Sequence, residues 1–157
     1  MRFILDTNEF IAALGVVKNP ASETLLNILL ESFPKHSLHI PRIIINEVRR
    51  NLHPRLFSEF ARIIQPVANI DEDILVPFEI GMKYEIMGLK PADAFIAAYT
   101  EWASADILVS ENRHFLSRHS NLPFKVLTAA NCLKILDKKT NLRNKDAKYF
   151  ARNSRRG

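Results

Sequence analysis

Residues 2–8 read RFILDTN, an apolar run, Phe3-Ile4-Leu5, that stops at the polar triplet Asp6-Thr7-Asn8. A short β-rich run ending this abruptly reads as a buried strand leading into a loop or a helix start. The same pattern returns along the chain. Leu38 to Ile40 suggest a second strand, Asp106-Ile107-Leu108-Val109-Ser110 a buried one, Phe124 to Leu127 another, and Pro66 to Ile70 a weaker extended piece. Helical spacings fall between them. Ser22 is the expected N-cap of a helix through Leu25, Leu26, Ile28, Leu29 and Leu30, closed by Pro34. Pro41 suits the first turn of a helix whose Ile44, Ile45, Val48 and Leu52 recur at helical period, with Pro54 at its end. Phe57 to Ile64 give a further amphipathic helix, and Pro77 opens one that runs to Gly88. Pro91 opens another, with Phe95, Ile96, Tyr99 and Trp102 on one face. Strands alternating with helices predict an α/β fold with a parallel sheet covered on both faces.

The chain has 157 residues, 47% hydrophobic and 25% charged, which suits one domain with its own core. A chain of this size buries roughly two-thirds of the surface its unfolded form exposes and needs no disulfide or metal staple. The single Cys132 rules out an internal disulfide and reads as a buried packing thiol beside Leu133 and Ile135; the expected setting is a reducing cytoplasm. Asp6, Asn8 and Glu9 break the opening apolar run too early for a signal-peptide core, and no stretch reaches membrane-spanning length, so no membrane segment is expected.

The net charge of +5 is uneven. Residues 137–157 carry eight basic and two acidic side chains, hence +6, while residues 1–136 carry 14 basic and 15 acidic, hence −1. The expected organisation is a compact domain over 1–136 and a basic, flexible tail over 137–157. Such a tail either frays in solvent or attaches to a polyanion, with RNA or DNA the commonest. It has few apolar residues to insert into a membrane surface.

In parallel sheets, sites form beyond the carboxyl ends of strands. Asp6 follows Phe3-Ile4-Leu5, and Glu111-Asn112 follow Ile107-Leu108-Val109-Ser110, so both fall at the same sheet edge. Asp93 lies in the first turn of the helix opened by Pro91, and Glu47 borders the apolar stripe of its helix. Each has a plain structural role open to it. Asp6 caps or turns, Asp93 complements the helix dipole, Glu47 pairs with Arg50 or Arg49, and Glu111 and Asn112 serve a loop. The combination favours chemistry, because converging carboxylates repel and need a cation or protons to coexist. Hard oxygen ligands select Mg²⁺ or Mn²⁺, ions that activate water for attack on a phosphodiester.

At these residues the sequence resembles the PIN-domain nucleases, and within them the VapC-like toxins of prokaryotic toxin–antitoxin systems, over residues 1–136. ILDTN (4–8) resembles the family's opening strand and first acid, at Asp6, with Asn8 as a nearby supporting residue. IPRIIINEVRR (40–50) resembles the second motif, at Glu47; LKPADAFIAA (89–98), the most specific match, gives the third acid at Asp93. ILVSENRHF (107–115) resembles the last motif, but with Asn112 where an acid or Asn is expected and His114 where a further Asp is common.

The resemblance implies a three-layer PIN-like fold, with a central parallel sheet flanked by helices, and a Mg²⁺- or Mn²⁺-dependent endoribonuclease. Asp6, Glu47 and Asp93 would gather the metal, with Glu111 an alternative carboxylate if the loop register shifts by one. Asn112 would complete the catalytic set by orienting a ligand, water or phosphate, and Thr7, Asn8 and Ser110 would support it. Arg113, or the tail residues Lys138, Lys139, Arg143 and Lys145, would contact RNA. A cognate antitoxin and a homodimer are also implied. The departures at Asn112 and His114 keep open a module of the same fold that binds RNA, or joins a complex, without cutting.

Other chemistries find no pattern. His36 and His39 lack a zinc arrangement and suit surface or packing roles. The four glycines form neither a phosphate loop nor a dinucleotide fingerprint, and no GxSxG elbow occurs.

Overall fold

A computed structural model describes residues 1–112, 115 and 121–137. Five parallel strands run in the order β3-β2-β1-β4-β5, with β1 Arg2–Leu5, β2 Ser37–Pro41, β3 Ala68–Asp71, β4 Ile107–Val109 and β5 Lys125–Leu127. The helices α1 Thr7–Leu14, α2 Pro20–Glu31, α3 Arg42–Asn51, α4 Pro54–Ile64, α5 Phe78–Ile86 and α6 Pro91–Trp102 flank it, and residues 129–137 are helical. This is the α/β architecture expected from the alternating pattern.

The two central strands have no solvent face. Phe3, Ile4, Leu5, Ile107, Leu108 and Val109 are all fully buried, which is why both read as unbroken apolar runs. Helices supply the rest of the core. Phe10 of α1 meets Phe60 of α4 edge-on at 5.2 Å, and α6 turns Ala94, Ala97, Ala98 and Tyr99 inward. Cys132 is buried in this core, and burial pushes its thiol up to about 11, so it stays a neutral packing group. His36 sets its ring edge-on to Phe3 at 5.5 Å.

Several boundaries differ from the sequence reading. Of the two roles open to Asp6, cap or turn, it takes the first, N-capping α1 by accepting from the Thr7 amide. Ser22 does not cap α2. Asn19 does, its side chain accepting from the Ala21 amide with Pro20 at the first position, while Ser22 lies inside the helix, buried against Glu9. Pro41 ends β2 and precedes α3 rather than sitting in its first turn, and Pro54, expected to end that helix, begins α4. Gly88 stands where the stop of α5 was expected, at φ +94°, a conformation that favours glycine; the Leu89 amide closes the turn on the Tyr84 carbonyl at 3.1 Å.

Among the described residues, no helix is long and apolar enough to cross a membrane.

Candidate active site

The chain builds outward from β1 to β2 and β3, then crosses back to place β4 on the other side of β1. That reversal opens a crevice at the carboxyl ends of β1 and β4. Leu5 pairs with Val109, and the Asp6 amide donates to the Val109 carbonyl at 2.9 Å, so Asp6 and Ser110 leave the sheet side by side. α3 brings Glu47 and α6 brings Asp93 to the same place. A cavity of about 420 Å³ is lined by Asp6, Thr7, Asn8, Glu47, Arg50, Asn51, Asp93 and Asn112, with an apolar wall of Ile11, Ile43, Ala92 and Ile96.

Each acid is held differently. Asp6 Oδ1 accepts from the Thr7 amide at 2.7 Å and Oδ2 from the Ser110 hydroxyl at 2.8 Å. Burial pushes its carboxyl above the ordinary range, those two hydrogen bonds pull it back, and the charges of Asp93 and Glu47 push it up again. Glu47 Oε2 accepts from the Thr7 hydroxyl, so Thr7 serves two acids from opposite ends of its own residue. The Asn112 amide donates to both Asp93 oxygens at 3.3 Å, and the Asn112 backbone N–H donates to Ser110 Oγ at 3.0 Å. Ser110 is wholly buried and ties the β4 loop to Asp6.

Asp6, Glu47, Asp93, Asn112, Thr7 and Asn8 therefore line one cavity, with Ser110 directly behind Asp6. Glu111 is elsewhere: its carboxylate accepts from the Ala129 amide at 3.3 Å, at the start of the 129–137 helix. Arg113, His114, Lys138, Lys139, Arg143 and Lys145 lie outside the described residues.

Two features were not anticipated. Glu47 takes Thr7 rather than an arginine, and Arg50 lines the cavity one turn along α3. The position of Arg50 at helical spacing from Glu47 was the available signal. The second is a buried pair behind the site. Glu9 is 1% exposed and its Oε2 accepts from Ser22 at 2.7 Å. Burial pushes the Glu9 carboxyl up, the Ser22 bond pulls it down, the charges of Glu111 and Asp6 raise it, and the Glu111 backbone N–H lowers it.

Among the described residues, no three His, Cys, Asp or Glu side chains form a ready metal-binding group. The chemistry of the donor set still suits a hard divalent cation. Carboxylate oxygens from three chain segments share one cavity, and their charges raise Asp6, a repulsion that a cation relieves.

No protein-family model matches the chain, and no curated protein does. Solved structures do. VapBC2 from Rickettsia felis, bound to a DNA fragment from its promoter, superposes with a TM-score of 0.56 at 18% identity, over 80% of this chain and 97% of that one. A toxin–antitoxin complex from Klebsiella pneumoniae gives 0.59 at 19%, over 80% and 96%. FitAcB from Neisseria gonorrhoeae gives 0.55 at 19%, over 81% and 97%. The chain has their fold. At this identity the likeness shows the fold alone, the PIN-like architecture expected from the four motifs.

Proposed function

We propose that this chain is a divalent-metal-dependent endoribonuclease and the toxin of a toxin–antitoxin pair. The observation that carries the reading is the convergence of Asp6, Glu47 and Asp93, from β1, α3 and α6, on one cavity at the switch point between β1 and β4. Asp6, Glu47 and Asp93 would hold Mg²⁺ or Mn²⁺, which when bound activates water and offsets charge on a phosphodiester. The protein's own part is positioning. Ser110 and the Thr7 amide fix Asp6, the Thr7 hydroxyl fixes Glu47, and Asn112 fixes Asp93. The antitoxin partner is supported by the neighbouring structures, which are toxin–antitoxin assemblies. A homodimer is supported by exposed Phe78, Met82 and Ile86 at one-turn spacing on α5, an apolar stripe monomers seldom leave open. The basic tail would add salt-dependent RNA affinity.

One observation favours the second reading, a module that binds RNA without cutting. The Asn112 amide spans both oxygens of Asp93, where an acid would repel them.

The test is to incubate the purified protein with a pool of structured RNA in Mg²⁺, in Mn²⁺ and in EDTA, beside Asp93→Asn. Cleavage that needs the metal and vanishes in the variant supports the nuclease. RNA binding without cleavage, in a folded protein free of antitoxin, supports the binding module.

A further inference from the structure

Arg50 is the one cation lining the cavity among the described residues, and it forms no ion pair or hydrogen bond there. That is unexpected on a helix. Glu47 and Arg50 are neighbours on one face of α3, the spacing at which a carboxylate and a guanidinium ordinarily pair. Glu47 is instead turned to the Thr7 hydroxyl, and the guanidinium is left at the cavity wall with its donors unspent. A guanidinium carries five N–H groups in a planar fork that suits a phosphate. Complementing the helix dipole does not explain its place, because Arg49 fills the same last turn and does not line the cavity.

We propose that Arg50 binds a phosphate of the RNA strand, one helical turn from Glu47 and in the same cavity as Asp6 and Asp93, and so beside the phosphodiester being cut. The assignment rests on the nuclease reading and names a contact that reading does not supply. The acids at the centre of the cavity repel a polyanion, and Arg50 offsets that repulsion at the rim. Ile11, Ile43 and Ile96 form an apolar wall of the same cavity, against which a ribose or base can lie while its phosphate meets the guanidinium. Asn51 leaves this role to Arg50, since its amide is turned back to the Glu47 carbonyl at 2.8 Å.

The test measures binding of a fluorescein-labelled, single-stranded RNA of mixed sequence to the full chain in EDTA, across a series of salt concentrations, for wild type, Arg50→Ala, Arg50→Lys and Arg49→Ala. Loss of one phosphate contact on a single strand lowers the slope of log affinity against log salt by about 0.7. Arg50→Ala should show that drop and bind several-fold more weakly, Arg50→Lys should keep the slope, and Arg49→Ala should match wild type. An unchanged slope in Arg50→Ala, or equal drops in Arg50→Ala and Arg49→Ala, overturns the proposal, the second outcome showing a general charge effect. Thermal melts keep the result readable, since both alanine variants lose one dipole-complementing charge and should melt alike. Cleavage in Mg²⁺ or Mn²⁺ is scored separately. A protein that cuts RNA with an Arg50-independent slope sinks this inference alone, and one that binds through Arg50 without cutting sinks the nuclease alone.

Discussion

The two ends of the sheet make opposite use of their polar groups. At the amino end, a cavity of about 620 Å³ is lined by Met1, Glu101, Ser104, Asp106, Phe124 and Lys125, and it is larger than the carboxylate cavity. Its acids are already committed to the fold. Asp106 accepts the Arg2 amide at 2.7 Å, and Glu101 accepts the Lys83 ammonium at 2.7 Å and the Tyr84 hydroxyl. At the carboxyl end the three acids are hydrogen-bonded too, but they share one cavity, where the charges of Asp93 and Glu47 raise Asp6, and a guanidinium is left unpaired. Volume does not mark a site here. Like charges gathered beside an unpaired cation do.

The sharpest way to break this contrast is to neutralise one acid at each end. Asp93→Asn should reduce metal-dependent RNA cleavage by about 10²–10³-fold, the loss expected when several kcal/mol of charge stabilisation is removed. Asp106→Asn should cleave as wild type and lose about 1 kcal/mol in urea unfolding. Equal losses of activity at both ends would end the distinction.

A finer comparison removes one hydroxyl from each end. Thr7→Val takes away the donor to Glu47, and Tyr84→Phe the donor to Glu101. Both should cost about 1 kcal/mol of stability. Only Thr7→Val should slow cleavage, by about 10–100-fold, as loss of a group that orients a metal ligand does, with Thr7→Ser restoring most of it.

The Glu9–Ser22 pair tests how much stability the carboxyl end gives up. Because burial raises the Glu9 carboxyl, the ionised form is disfavoured in the folded chain, and stability is lost as pH rises through that raised value. Glu9→Gln should therefore melt higher than wild type at neutral pH, and the difference should vanish below about pH 4, where both states are protonated. A difference that persists at low pH would place the effect in packing. The smallest effect belongs to the exposed Arg42–Glu72 pair at 2.6 Å: Arg42→Ala should leave the melting temperature unchanged, because solvent screens such a pair.

Much of this was legible in the chain. The apolar runs Phe3-Ile4-Leu5 and Ile107-Leu108-Val109 are central strands, and the polar residues just after them, Asp6 and Ser110, meet as adjacent strand ends must. Glu47 was visible as an acid bordering an apolar helix stripe, and Asp93 as an acid in a helix's first turn. What periodicity could not show were pairings between distant segments. Thr7 with Glu47 and Glu9 with Ser22 form only when α1 packs on α3 and α2. The cap of α2 was misplaced because Ser22 was read locally as a helix start, when the buried Glu9 claims its hydroxyl and Asn19-Pro20 does the capping. The direction of Glu111 was set by the amide of Ala129, beyond the strand that follows it.

The placement of β4 also fixes when in synthesis the site can exist. Asp6, Glu47 and Asp93 are all translated before β4, but the flank of β1 that supports Asp6 stays an unpaired strand edge until Ile107–Val109 arrive, and Ser110 and Asn112 come later still. A chain growing from the ribosome at about 5–20 residues per second therefore carries every acid for some seconds with no assembled centre. The cavity is thus completed by the last of its elements to be made, with the acids translated before the groups that hold Asp6 and Asp93 in place.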